Sequence, residues 1–242
     1  MTQRWVDLVW RRAPAVLAVL ALGGGCASAR LAITPEEYAR LARGTGPMAI
    51  VMHDPARPDP ASVLKQRAAP VSPVDTDLTL LIRRMHDTLV RAKGVGLAAP
   101  QIGIARRVIL VVHGVRPAGQ PTRMEVYLNP RLEQVSPEQD DDYEGCLSVA
   151  NAGGLVARAR RVTMSHDPLG GGPRQTITVS DWDARIVQHE IDHLDGVLYI
   201  DKLKGPLLPY EEARRLRDEG HRRRGWLPSA APASGPASVP AR

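Results

Sequence analysis

Gln188-His189-Glu190-Ile191-Asp192-His193 is the stretch on which the reading of this chain turns. Two histidines four residues apart fall on one face of an α-helix, one turn from each other. Both imidazoles can therefore reach a single metal ion, with Glu190 held beside whatever water that ion binds. HExxH is a short pattern, and alone it can also arise as a solvated helix face that holds two histidines by chance. Ser180 or Asp181 can cap this helix, and Gly196 can end it.

Working outward, the pattern alternates between strands and helices. Gln175 to Val179 and Val156 to Ser165 read as two strands, joined by the turn-rich Asp167-Pro168-Leu169-Gly170-Gly171-Gly172. Val108 to Val112 and Glu125 to Leu128 read as two more. Asp77 starts an amphipathic pattern through Leu78, Leu81, Ile82, Met85, Leu89 and Ala92, which predicts a core-facing helix ended by Gly94. Thr34-Pro35-Glu36-Glu37 has the form of a capping box with proline at the first helical position, opening a short helix that Gly44 ends. Residues 46–76 are proline-rich and weakly periodic, as a loop would be. Downstream, Glu211 to Arg224 is arginine-rich without interleaved aromatics, which favours a solvated basic segment over a nucleic-acid arm. Residues 229–242 have the Ala/Pro/Ser/Gly composition of a disordered tail.

A chain of 242 residues can bury one good-sized core. Aromatics are only 4% and Phe is missing, so Leu, Val and Ile must fill that core. The N-terminus has the order of an export signal: Arg4, Arg11 and Arg12, an apolar run from Ala13 to Leu22, then small residues. That run is too short for an ordinary membrane-spanning helix. Cys26 after Gly23-Gly24-Gly25 resembles a lipoprotein box, whereas Ala27-Ser28-Ala29 fits soluble export; a buried apolar helix is the third reading. Cys146 is the other cysteine, so no disulfide framework is implied.

A metal needs a third ligand. The metzincin pattern HExxHxxGxxH is followed as far as Gly196, but Tyr199 stands where its third histidine belongs. Glu211, Glu212 and Glu219 are candidates of the glutamate-zincin kind, although they lie in the basic segment. Cys146, in Glu144-Gly145-Cys146-Leu147-Ser148, is a further candidate, since a lone cysteine is either a small buried hydrophobe or a ligand. A third segment, Gly94-Val95-Gly96-Leu97-Ala98-Ala99-Pro100-Gln101-Ile102-Gly103, is a loop of small residues ending in an amide. Gly94, Val95 and Gly96 would let a substrate approach the backbone closely, and the Gln101 amide can donate to an oxyanion.

Together these three segments resemble the GxGLAAxQ, EGCLS and HExDH motifs of the peptide deformylase family, from about Asp59 to Leu203. The resemblance implies an α+β fold in which antiparallel strands surround a central helix bearing HExxH. It implies Cys146, His189 and His193 as ligands of one divalent metal, characteristically Fe(II), with zinc, nickel and cobalt also accepted. It implies Glu190 as proton carrier, with Gln101 and the Leu147 backbone N–H as oxyanion donors, and formyl-methionyl peptides as substrate. Arg158 matches a family arginine that could pair with Glu144 and brace the metal loop. Ala150 replaces a common proline, and Asn151-Ala152-Gly153-Gly154 is unusually small, which bears on substrate contacts.

The expected organisation is a signal over residues 1–29, an extension over 30–57, the catalytic domain over 58–205, a basic C-terminal helix over 206–228, and the tail. The protein is expected to be a monomer without a specific nucleic-acid partner. It is expected outside the cytoplasm, either periplasmic or anchored in the membrane through a lipidated Cys26. A start at Met48 would instead give a cytoplasmic protein with the ribosome as a partner.

Overall fold

The computed structural model describes residues 32–115 and 122–228, so the signal-like segment, Cys26 and the tail lie outside it. No helix among the described residues is long and apolar enough to cross a membrane. Helix α1 (Pro35–Ala42) opens on the capping box read from the sequence. The Thr34 hydroxyl accepts from the Glu37 N–H, and the Glu37 carboxylate accepts from the Thr34 N–H. Leu41 of α1 and the preceding Ile33 are buried in a core shared with helix α2 (Leu78–Ala92). There Leu78, Leu81, Met85 and Leu89 form one buried stripe, each contributing roughly 1.5–3 kcal/mol. Lys93, not Gly94, takes the left-handed conformation that ends α2. Gly94 is needed for space instead, because a Cβ there would stand 2.7 Å from Leu89 Cδ1 and 3.2 Å from Leu147 Cδ1.

Among the described residues eight strands follow: β1 (Gly96–Ala98), β2 (Val108–His113), β3 (Arg123–Val135), β4 (Gln139–Cys146), β5 (Val149–Ala159), β6 (Arg161–Asp167), β7 (Gln175–Ser180) and β8 (Leu208–Pro209). Helix α3 (Asp181–Leu194) lies between β7 and β8, and helix α4 (Tyr210–Arg223) follows β8. The order β1-β2-β3-β6-β7 makes one antiparallel sheet, and β4-β5-β8 a second. α3 packs against β1 and β2 of the first sheet and β5 of the second. Its Ala184, Val187, Ile191 and Leu194 share a core with Ala98, Ile109, Val111 and Met164. This is the α+β arrangement of antiparallel strands around a central helix.

Three local readings differ from the structure. The single strand expected over Val156 to Ser165 is two, with the chain changing sheets at Arg160. Gln188 explains the break. Its buried side-chain amide accepts from the Ala159 N–H and donates to the Ala159 carbonyl, replacing a strand partner at the crossing. Second, the sequence reading places no strand where β4 runs through Asp140-Asp141-Asp142, residues that strands usually avoid. Third, α3 starts without a side-chain cap from Ser180, and the Asp181 carboxylate pairs with Arg160 instead.

The basic segment forms α4, which packs on β4 and β5. His221 is fully buried, with its Nε2 2.5 Å from Asp142 Oδ2, and Arg224 bonds both Asp142 and Asp140. The small residues of β5 seat this helix: a Cβ on Gly153 would stand 2.6 Å from Ala213 Cβ. Residues 46–53 also cross the body of the fold. The Val51 N–H donates to the Gln101 carbonyl at 2.8 Å and the His53 N–H to the Ser148 carbonyl at 2.7 Å, tying two site-bearing segments together.

Candidate active site

α3 sets His189 and His193 one turn apart, with ring centroids separated by 5.0 Å. Cys146 reaches them from the end of β4, where the pairing with β5 slips a register. Its Sγ lies 3.3 Å from His193 Nε2. One ligand atom from each of Cys146, His189 and His193 lies within 4.8 Å of the others, the one such group among the described residues. A span of this size suits metal bonds of about 2.0–2.3 Å to thiolate and imidazole. The ring environments suit it too. The His189 Nδ1–H donates to Glu144 at 2.9 Å, which turns Nε2 toward the cluster. Burial pushes His193 well below the usual imidazole range and keeps it neutral, as a ligand must be. The residues present therefore fit a divalent metal.

The competing ligands stand elsewhere. Glu211 and Glu212 are exposed on α4, and Glu219 pairs with Arg215 and Arg223 on the same helix. Tyr199 is buried and stacks on His189 with centroids 6.2 Å apart, so it packs against a ring of the cluster.

Behind the cluster lies a buried ionic centre. Glu144 accepts two hydrogen bonds from Arg158, one from Arg185 at 2.7 Å and one from His189. Burial alone would raise its carboxyl, but the Arg158 guanidinium and these bonds hold it well below the usual range. Arg158 also bridges to Asp192, tying β5 to α3 a second time. Sequence reasoning paired Arg158 with Glu144 but assigned no role to Arg185. The signal was available: Arg185, His189 and His193 repeat at four-residue spacing on one helix face.

Glu190 faces the opposite condition. It is buried, its Oε2 has no hydrogen-bond partner, and desolvation pushes its carboxyl up to about 7. Gly96 lies directly against it, and a side chain at that position would displace the carboxyl. Gln101 is buried in the turn after β1. Its Oε1 accepts from the Ala98 N–H at 2.8 Å, which orients Nε2 toward Cys146 Sγ at 3.5 Å and Ser148 Oγ at 3.3 Å. Leu147 sits in the turn between β4 and β5, and its side chain packs against the α2 core. A cavity of about 500 Å³ opens here, lined by Gly94, Val95, Gly96, Gln101, Cys146 and Glu190 among others. Ala150 and Asn151 also line it, whereas Gly153 and Gly154 are small because Ala213 and Leu203 press on them.

A thiol and two imidazoles converging beside a buried carboxylic acid and a fixed amide define a metal-dependent hydrolase. The family model for polypeptide deformylase matches residues 54–207. Peptide deformylase 2 of Gloeobacter violaceus is 38% identical over 145 residues, 60% of this chain and 76% of that protein. Peptide deformylase of Mycolicibacterium smegmatis is 38% identical over 183 residues, 73% of this chain and 85% of that one. The Met-Ala-Ser-bound class I type b peptide deformylase of Acinetobacter baumannii superposes with a TM-score of 0.57 at 34% identity, covering 65% of this chain and all 100% of that one. The chain belongs to the peptide deformylase family. It is a metal-dependent hydrolase that removes the N-formyl group from formyl-methionyl peptides and releases formate.

Proposed function

We propose that Cys146, His189 and His193 hold one Fe(II) ion and that Glu190 carries the proton in the hydrolysis. The observation that supports this most is the desolvated Glu190 carboxyl, lifted to about 7, beside three convergent donor atoms. Fe(II), zinc, nickel and cobalt all suit a thiolate with two imidazoles, so the donor set is compatible with iron without demanding it. When bound, the metal supplies Lewis acidity and makes a water nucleophilic near neutral pH.

The chain's own groups do the rest. Glu190 takes a proton as water attacks the formyl carbon, then returns it to the leaving amine. The Gln101 amide and the Leu147 N–H donate to the oxygen on which negative charge develops. Glu144 holds the His189 tautomer, and Arg158 and Arg185 hold Glu144. β1 is an edge strand, so a peptide extended beside Gly94, Val95 and Gly96 can add main-chain hydrogen bonds. Anaerobically purified protein should release formate from formyl-Met-Ala-Ser and contain near-stoichiometric iron. Formate release with only zinc bound would overturn the choice of iron.

We further propose that the enzyme works outside the cytoplasm, either lipidated at Cys26 or released after Ala29. A start at Met48, the reading that includes the ribosome, would remove Ile33 and Leu41 from the core and Glu37 from its buried pair with Arg106. Mass spectrometry of the mature N-terminus distinguishes these. An acylated Cys26 or a start at Arg30 supports export, and a start at Met48 or Ala49 overturns it.

A further inference from the structure

The family match ends at residue 207, but the wall of the catalytic cavity continues beyond it. Tyr210 and Arg217, both on α4, line the same cavity as Cys146 and Glu190. Glycines bring the helix this close. A Cβ on Gly145, next to the thiol, would stand 2.8 Å from Tyr210 Cε2. The helix that reads as a solvated basic segment thus contributes part of the cavity lining.

Arg217 has the surroundings of a recognition group. Its guanidinium carbon lies 5.7 Å from the centre of the Trp182 ring, which is 7% exposed and backed edge-on by the buried His221. The Arg217 side chain is 14% exposed, and its buried Nε makes no hydrogen bond among the described residues. Its ion pair is with the adjacent Asp218 at 3.5 Å, a carboxylate that also faces Arg214 at 3.9 Å. Arg214 itself lies closer to Glu211, at 3.3 Å. Of the other charged groups that line the cavity, Arg185 is bonded to Glu144 at 2.7 Å. Lys93 lines the cavity from the end of α2, is exposed and forms no ion pair among the described residues. The cavity therefore combines a catalytic carboxyl with a stacked, partly dehydrated guanidinium, a geometry suited to two-pronged binding of a carboxylate.

We propose that Arg217, braced by Trp182, is a specificity-determining residue that binds a carboxylate of the peptide beyond its formyl-methionine, with Lys93 strengthening the local field. The carboxylate belongs either to an acidic side chain at the second or third residue or to the C-terminus of a short peptide. This inference rests on the deformylase reading.

The test compares kcat and KM on formyl-Met-Ala-Ser, its C-terminal amide, and the amides of formyl-Met-Glu-Ser and formyl-Met-Ala-Glu, for the wild type, R217Q and R217K. The wild type should prefer carboxylate-bearing peptides over the neutral amide by about 10-fold or more in KM, as a charge-assisted hydrogen bond is worth. Preference confined to the free C-terminus or to the acidic side chains identifies the source. R217Q should bring the ratio close to one, and R217K should keep part of it. A wild type that releases formate equally from all four peptides overturns the proposal, whatever the variants do. An R217Q enzyme that retains the full preference overturns it as well. Formate release from none of the peptides would instead count against the deformylase reading.

Discussion

Helices α3 and α4 are the same length, 14 residues, and both are rich in charge, yet they use that charge in opposite ways. Ten residues of α3 are buried, including Arg185, Glu190 and His193, whereas only Ala213 and His221 are buried in α4. His189, Glu190 and His193 of α3 are therefore largely removed from water and shifted from their ordinary ranges, in directions set by their surroundings. Glu144, surrounded by two arginines and His189, is held as a carboxylate, while Glu190, without a bonded partner at Oε2, is pushed up to about 7. Two buried glutamates thus face opposite conditions, one held among cations and the other desolvated, which suits them to the different roles proposed for them. Most arginines of α4 stay in solvent, where pairing is weak. The comparison teaches that burial, rather than charge content, separates the working helix from the covering one.

The largest effect should come from Cys146→Ala, which removes one of the three proposed protein ligands. Metal analysis should show tight binding abolished, while Glu211→Ala and Glu212→Ala leave it intact. Stoichiometric metal in Cys146→Ala would return the third ligand to α4. Next comes Glu144→Ala, which leaves Arg158 and Arg185 without their shared buried carboxylate. Denaturant unfolding should show a loss of about 3–5 kcal/mol, and metal affinity should fall because the His189 tautomer is no longer held.

A smaller effect probes where the two helices' environments meet. Burial alone would raise the Asp142 carboxyl, but the hydrogen bond from His221 outweighs it and holds the pKa below its ordinary value. A depressed folded pKa means that this stabilisation is complete above the unfolded value of about 3.9. It is lost as pH falls through that value toward the folded one. Melting temperatures taken from pH 7 down to pH 3 should drop less steeply for Asp142→Asn than for the wild type, from a lower starting point. Parallel curves would remove Asp142 from the account. The smallest effect belongs to Arg215→Ala and Arg223→Ala, exposed on α4, which should change stability by no more than about 0.5 kcal/mol.

Much of the site was legible because its signals are local. His189 and His193 at helical spacing, the small-residue loop before Gln101, and Cys146 between Gly145 and Leu147 each announce themselves within a few residues. The helix before the loop was legible for the same reason. What escaped depends on distant partners. β4 carries three aspartates because His221 and Arg224, some eighty residues away, satisfy two of them. The break at Arg160 depends on Gln188 bonding to Ala159. The role of Arg185 becomes visible only when β4 delivers Glu144 to α3, and Gly153 is explained by Ala213 of α4 rather than by any turn.

The central claim is that Glu190 is the proton carrier beside a metal it does not hold. Glu190→Gln keeps the shape and removes the titratable group. Formate release and metal content measured on the same sample of that variant test the claim most directly. The account predicts full metal content with the rate lowered by roughly 10²–10⁴-fold, the worth of general acid–base catalysis. A metal-loaded Glu190→Gln enzyme that turns over at the wild-type rate would contradict it.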